Sequence, residues 1–383
     1  MPALGVQAAG PASIIAWAGL LILSAPLAAT FAVLGVRYPV AGGISEYARA
    51  GFGDFAAAVT GAWFVAAVIL GGPAVALAGG YYVADLTGSG TQVAALVAFA
   101  MFGFVLVTNA LGLRLSSSFQ LGLSALLVTV LAIGIAIALP ARGGDNWSPF
   151  APHGWLAVGT AANILVWLYV GWEAVAQLAG EFRRPRVDIP RSIAVAFVIV
   201  TILYITLAVA TIGVSGGSSS KVPLADLFAV GFGRAGREAT AAFAVVVTMG
   251  TMNVYYGGTA KLVRELARGG SLPAWLGVGD RSVPWRPLVL FGATGVLLFA
   301  ALIVGWLNVT DLVRAVSNLF VAVYVLTIAS AVRILHGRER AIAIAAVVMV
   351  AVIAAFSGGY VVVPLVVAGL AFLQWRLHQN RRL

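Results

Sequence analysis

Long apolar runs separated by short polar segments dominate the chain, and their lengths set the first expectation. A helix rises about 1.5 Å per residue and a hydrocarbon core is about 30 Å thick, so about 20 apolar residues cross it. Runs of this kind occupy 12–36, 52–84, 92–109, 119–139, 154–177, 192–214, 239–268, 287–306, 312–332, 341–355 and 360–375. They predict an all-α polytopic membrane protein with eleven complete crossings. Residues 1–10 are too short to span and are followed by Pro11, so they read as the end of a helix whose beginning is absent. Pro26 predicts a kink. Gly71-Gly72-Pro73 predicts a bend or a close helix contact within 52–84, which exceeds one ordinary crossing. Segment 37–49 reads as a short amphipathic or re-entrant piece, and 224–232 as a surface helix behind the Gly/Ser-rich loop 215–221.

Composition narrows the class. The chain is 61% hydrophobic and 9% charged, which no soluble domain of 383 residues could keep away from water. Absence of cysteine excludes disulfides, thiolate metal sites and thiol catalysis. His153, His336 and His378 are too dispersed to suggest a metal cluster. The net charge of +10 is spread between apolar runs, a pattern that fits membrane topology and not nucleic-acid binding. Alternating the runs across the bilayer puts 18 of the 23 basic residues on one side, among them Arg37, Arg49, Arg183, Arg184, Lys261, Arg333 and Arg376. By the positive-inside rule that side is cytoplasmic, and the carboxyl terminus with it.

Chemistry concentrates in residues 154–177. Tyr169-Val170-Gly171-Trp172-Glu173 interrupts an apolar run, and Glu173 is the one carboxylate well inside any of them. Gly171 tolerates local unwinding, while Tyr169 and Trp172 offer hydrogen bonds and aromatic walls. A break there exposes backbone donors and acceptors toward a cavity. Glu173 then has three readings: pinning the broken helix, gating or proton coupling, and direct substrate contact. Ordinary close packing remains the plain alternative for Gly171, Tyr169 and Trp172. Asn253, Tyr255 and Tyr256 form a second polar group inside a crossing, facing either a cavity or an interhelical hydrogen-bond network. No acid, base and nucleophile combine into a recognisable catalytic arrangement, so the chain does not read as an enzyme.

These segments resemble the bacterial amino acid permeases of the amino acid, polyamine and organocation transporter superfamily, particularly the neutral amino acid exporters. The likeness is carried by Gln7 to Ala12, by Arg37 to Gly43, by Tyr169-Val-Gly-Trp-Glu173 with Glu181 to Arg191, and by Asn253 through Leu276. The resemblance implies a five-plus-five inverted repeat with two further helices. Residues 1–139 would form a truncated first repeat with an incomplete first helix, and 154–332 the second repeat with a broken sixth helix. Residues 341–376 would supply the two additional helices, and 377–383 a basic cytoplasmic tail. Similar transporters carry a glycine-rich half-helix before the region matching Met1 to Gly10, which implies a late start or a specialised transporter. The resemblance also implies that Tyr169, Gly171, Trp172 and Glu173 bind or gate the amino acid. The expected partners are neutral amino acids, methionine and branched aliphatic ones among them, together with membrane lipids; no nucleic acid and no cofactor is expected. The implied activity is secondary transport by alternating access, in the direction of efflux, in the bacterial plasma membrane. A non-transporting amino-acid sensor is the alternative. Sodium, proton and antiport coupling stay open, because the fifth crossing lacks the lysine that replaces a cation in some relatives.

Overall fold

The computed structural model describes residues 2–38, 43–112, 117–139, 145–173, 182–215, 221–278 and 283–380. Regular structure among them is entirely helical. Helix α1 spans Pro2–Ala9, and a 3₁₀ turn, Gly10–Ala12, separates it from α2, Ser13–Arg37. Although 2–37 is apolar throughout, Gly10 (φ 63°) and Pro11 break it at the position expected from the sequence. The short helix α3 (Ile44–Phe52) precedes α4 (Asp54–Leu86), and then come α5 (Thr91–Ala110), α6 (Ser117–Ala138) and α7 (Leu156–Leu165). The second part continues with α8 (Pro185–Ser215), α9 (Pro223–Arg268), α10 (Trp285–Val304), α11 (Val309–Ile334), α12 (Gly337–Ala354) and α13 (Val362–Asn380).

Nine helical stretches among the described residues are long and apolar enough to cross a membrane. The two other expected crossings differ for visible reasons. Helix α12 is 18 residues long, but Arg338, Glu339 and Arg340 fill its first turn. The run expected over 154–177 yields a shorter helix, α7 with its 3₁₀ continuation Val166–Tyr169, and its far end, including Gln177, lies outside the described residues.

Helix α4 is the packing centre: α3, α5, α9, α10, α11 and α13 all contact it. Its 33 residues form one helix despite Pro73. Small residues let neighbours approach closely, which lipid alone would not drive. Gly71 faces Trp167, and Gly72 faces Tyr256 so closely that an added Cβ would lie 1.6 Å from the tyrosine oxygen. Helix α7 packs against α1, α2 and α11.

The surface helix expected over 224–232 is present as the first part of α9, set off from the long crossing by Gly233 (φ 54°, ψ −131°). It is fastened by the start of the crossing and by α4 and α6. Arg237 donates to Asp85 Oδ2 of α4 at 2.7 Å and to Asp226 Oδ1 of the short helix at 2.9 Å. The Leu224 N–H donates to the Tyr82 hydroxyl at 3.4 Å, and Phe228 rests on Gly134 of α6.

Candidate functional site

The apolar run of α7 stops being helical where its sequence changes character. After the 3₁₀ turn, Val170 is extended (ψ 135°) and Gly171 adopts φ 140°, a backbone region that side chains strain to enter. Unwinding frees carbonyls that a continuous helix would satisfy, and a buried carbonyl needs a replacement donor. The Tyr204 hydroxyl of α8 donates to the Leu168 carbonyl at 2.8 Å. The Tyr169 hydroxyl donates to the Trp17 carbonyl of α2 at 3.2 Å. Tyr169, Tyr204 and Trp17 pack edge to face, with centroids 5.2 to 6.2 Å apart, so the break is clamped between α2 and α8.

Glu173 lies on the opposite side of the break and is only 1% exposed. Its Oε2 accepts from the Gly171 N–H at 2.8 Å and from the Tyr324 hydroxyl of α11 at 2.6 Å. The same N–H reaches the Tyr324 oxygen at 3.4 Å, closing a three-membered arrangement. Burying a carboxylate without partners costs several kcal/mol, and the two donors supply what water would otherwise provide. Tyr324 is itself fully buried, with Phe31 of α2 at 5.7 Å.

A cavity of about 300 Å³ opens between the break and α8, bounded by Tyr169, Gly171, Trp172, Ile193, Ala196 and Tyr204 among others. No charged side chain lines it among the described residues. Glu173 is therefore buried beside this cavity and does not line it.

The seven sequence-chosen residues separate into two groups. Tyr169, Gly171, Trp172 and Glu173 meet at the break, and Tyr255 lies within electrostatic reach of Glu173, Tyr204 and Tyr324. Asn253 turns instead toward α5, donating to Thr108 Oγ1 at 3.2 Å while its carbonyl accepts from Asn109 at 3.4 Å. Tyr256 is 1% exposed among Phe102, Phe291 and Gly72, and its hydroxyl has no partner among the described residues. These two follow the network and packing reading. Trp17, Tyr204 and Tyr324 escaped the sequence reading, although each is a polar-tipped aromatic inside an apolar run, the same signal that singled out Tyr255. So did Asn163 and Asn318, buried amides that face each other at 3.3 to 3.5 Å between α7 and α11.

A bundle of apolar helices around an interrupted helix, with polar groups gathered at the interruption, defines a multi-pass membrane transporter. The chain belongs to the amino acid permease family, whose pattern it matches over residues 1–377. It is 32% identical to the uncharacterized amino acid permease YecA of Bacillus subtilis, over 97% of this chain and 89% of that protein. It is 28% identical to the L-methionine/branched-chain amino acid exporter YjeH of Escherichia coli, over 90% of this chain and 83% of the relative. A further relative, the branched-chain amino acid permease BcaP of Bacillus subtilis, is 28% identical over 55% of this chain and 49% of its own length. The chain is an amino acid transporter of the membrane, not an enzyme.

Proposed function

We propose that the chain carries neutral amino acids with apolar side chains, methionine and the branched aliphatic ones foremost, and that it exports them by alternating access. The observation that carries the reading is the uncharged cavity of about 300 Å³ beside the unwound backbone at Gly171. Tyr169, Trp172, Ile193 and Ala196 offer an apolar wall to a side chain, and a lysine or glutamate side chain would find no opposite charge among the described lining residues. Relatives named for methionine and branched-chain amino acids support the substrate class, and one named an exporter supports the direction.

In this reading Glu173 pins the break. Its Oε2 is engaged by Gly171 and Tyr324, which leaves substrate recognition to the backbone and aromatic groups on the α8 side. Residues 1–139 and 154–332 act as two repeats that rock against each other, with α4 of the first packed on α9 and α11 of the second and α1 packed on α7. The excess of basic residues on one side of the alternating crossings supports a cytoplasmic carboxyl terminus.

The test is counterflow in proteoliposomes loaded with methionine, leucine, isoleucine, valine, lysine or glutamate. Exchange is expected with the first four and not with the last two. Charged substrates exchanging as fast as methionine would overturn the neutral class. Binding without flux of any solute, in protein shown to be inserted, would replace transport by sensing.

A further inference from the structure

A second cavity, of about 440 Å³, lies away from the broken helix, between the α3–α4 corner, the turn after α9 and the last turns of α13. Arg49, Asp54, Ser271, Trp375, His378 and Gln379 line it. Its charged lining residues are one pair, Arg49 and Asp54. Arg49 donates from Nε to Asp54 Oδ1 at 2.9 Å and from Nη1 to Glu46, which stands outside the lining. The Asp54 side chain is 80% exposed and keeps acceptor capacity. Donors also remain: Arg49 Nη2 has no acceptor among the described residues, and Ser271 and Gln379 stand on the same walls. Nε2 of His378 is buried against Gly270 and has no hydrogen-bond partner among the described residues.

A bare anion entering this space meets the exposed Asp54 carboxylate, and a bare cation leaves the donors unanswered. A zwitterion with adjacent ammonium and phosphate groups answers both. The surroundings say which kind. Beside the cavity Phe55 meets Phe372 edge to face at 5.6 Å and Trp375 at a tilt at 5.4 Å, and α13 presents Leu365, Leu370, Leu373 and Leu377 outward. Beyond Trp375 the helix turns polar at Arg376 and His378. An aromatic belt between an apolar face and a polar end marks the headgroup level of a bilayer.

We propose that this cavity holds the headgroup of an amine-bearing zwitterionic phospholipid, with the ammonium on Asp54 and the phosphate toward Arg49 and Ser271. Acyl chains then lie along Phe55, Phe372 and the outward leucines of α13. The site is separate from the Gly171 break, so its test does not depend on the transported substrate.

The full-length chain, stripped of lipid in detergent, is titrated with phosphatidylethanolamine, phosphatidylcholine of the same acyl chains, phosphatidylglycerol and chain-free glycerophosphoethanolamine. Bound molecules are counted by native mass spectrometry. Phosphatidylethanolamine is expected to outcompete phosphatidylcholine by about fivefold, the order of one charge-assisted hydrogen bond at a partly exposed site. Asp54→Asn is expected to bring the ratio toward unity, and Ser271→Ala to weaken binding of both lipids alike several-fold, because both carry the phosphate. Ser271→Ala leaves the Arg49–Asp54 pair intact and keeps the test decisive where Asp54→Asn fails to fold. Equal retention of the two lipids by the unaltered chain, a preference for phosphatidylglycerol, a preference untouched by Asp54→Asn, or lipid binding untouched by Ser271→Ala would overturn the proposal. Equal competition by glycerophosphoethanolamine would overturn the lipid as its source.

Discussion

Tyr324→Phe isolates one atom of the proposed transport site. The substitution keeps the ring against Phe31 and removes only the hydroxyl that reaches Glu173 Oε2 at 2.6 Å. The Gly171 N–H remains on the same oxygen at 2.8 Å, so the carboxylate keeps backbone donors and loses the hydroxyl alone. A hydrogen bond to a charged group contributes about 1.5–3 kcal/mol net, and burial of Glu173 leaves no water to replace it. If the bond exists only while the break is in its binding-competent arrangement, the lower bound corresponds to about a tenfold weaker apparent affinity. The half-saturating methionine concentration in counterflow is the readout. Tyr256→Phe provides the control, because its buried hydroxyl has no partner among the described residues. Removing that unpaired group is expected to leave transport unchanged and thermal stability unchanged or raised by about 1 kcal/mol. The same shift in both variants, or none in Tyr324→Phe, would refute the pinning role of Glu173.

Gly171→Ala separates backbone strain from crowding, since an added Cβ meets nothing within 4 Å among the described residues while φ stays at 140°. The strain of about 1–3 kcal/mol is expected to reduce counterflow at least fivefold while membrane yield is maintained; wild-type flux would show that the break tolerates an ordinary residue. Arg237→Gln removes both ion pairs that fasten the helix ahead of Gly233. At about 0.5–1 kcal/mol for each partly exposed pair, amide exchange over 223–232 is expected to quicken several-fold, and an unchanged exchange rate would show that Tyr82 and Phe228 suffice to hold it.

Much of this architecture was legible because membrane helices announce themselves by length and hydropathy. The break at Gly171 was legible too, since an acidic residue beside a glycine inside an apolar run has few structural solutions. The partner of Glu173 was not, because Tyr324 is 151 residues away and no local period encodes that contact. Treating Asn253, Tyr255 and Tyr256 as one polar group ignored helical geometry. Neighbouring residues diverge by about 100° around a helix, so Tyr255 comes within electrostatic range of Glu173 and Tyr204 while Tyr256 enters the packing against Phe102 and Phe291. The early stop of α7 was partly hidden as well: Trp167, Leu168 and Tyr169 continue its apolar pattern but occupy a 3₁₀ turn.

Gly71 and Gly72 give α4 two adjacent sites at which one added methyl group acts as a wedge of graded size. At Gly71 the new carbon would stand 3.1 Å from Trp167 Cζ2, a misfit that a small shift of the ring absorbs. At Gly72 it would stand 1.6 Å from the Tyr256 oxygen, and α9 would have to withdraw from α4. Alanine at these positions therefore offers a pair of conformational traps, one mild and one severe, acting on different neighbouring helices. Such traps would hold the transporter in distinct arrangements for structure determination without any ligand or antibody.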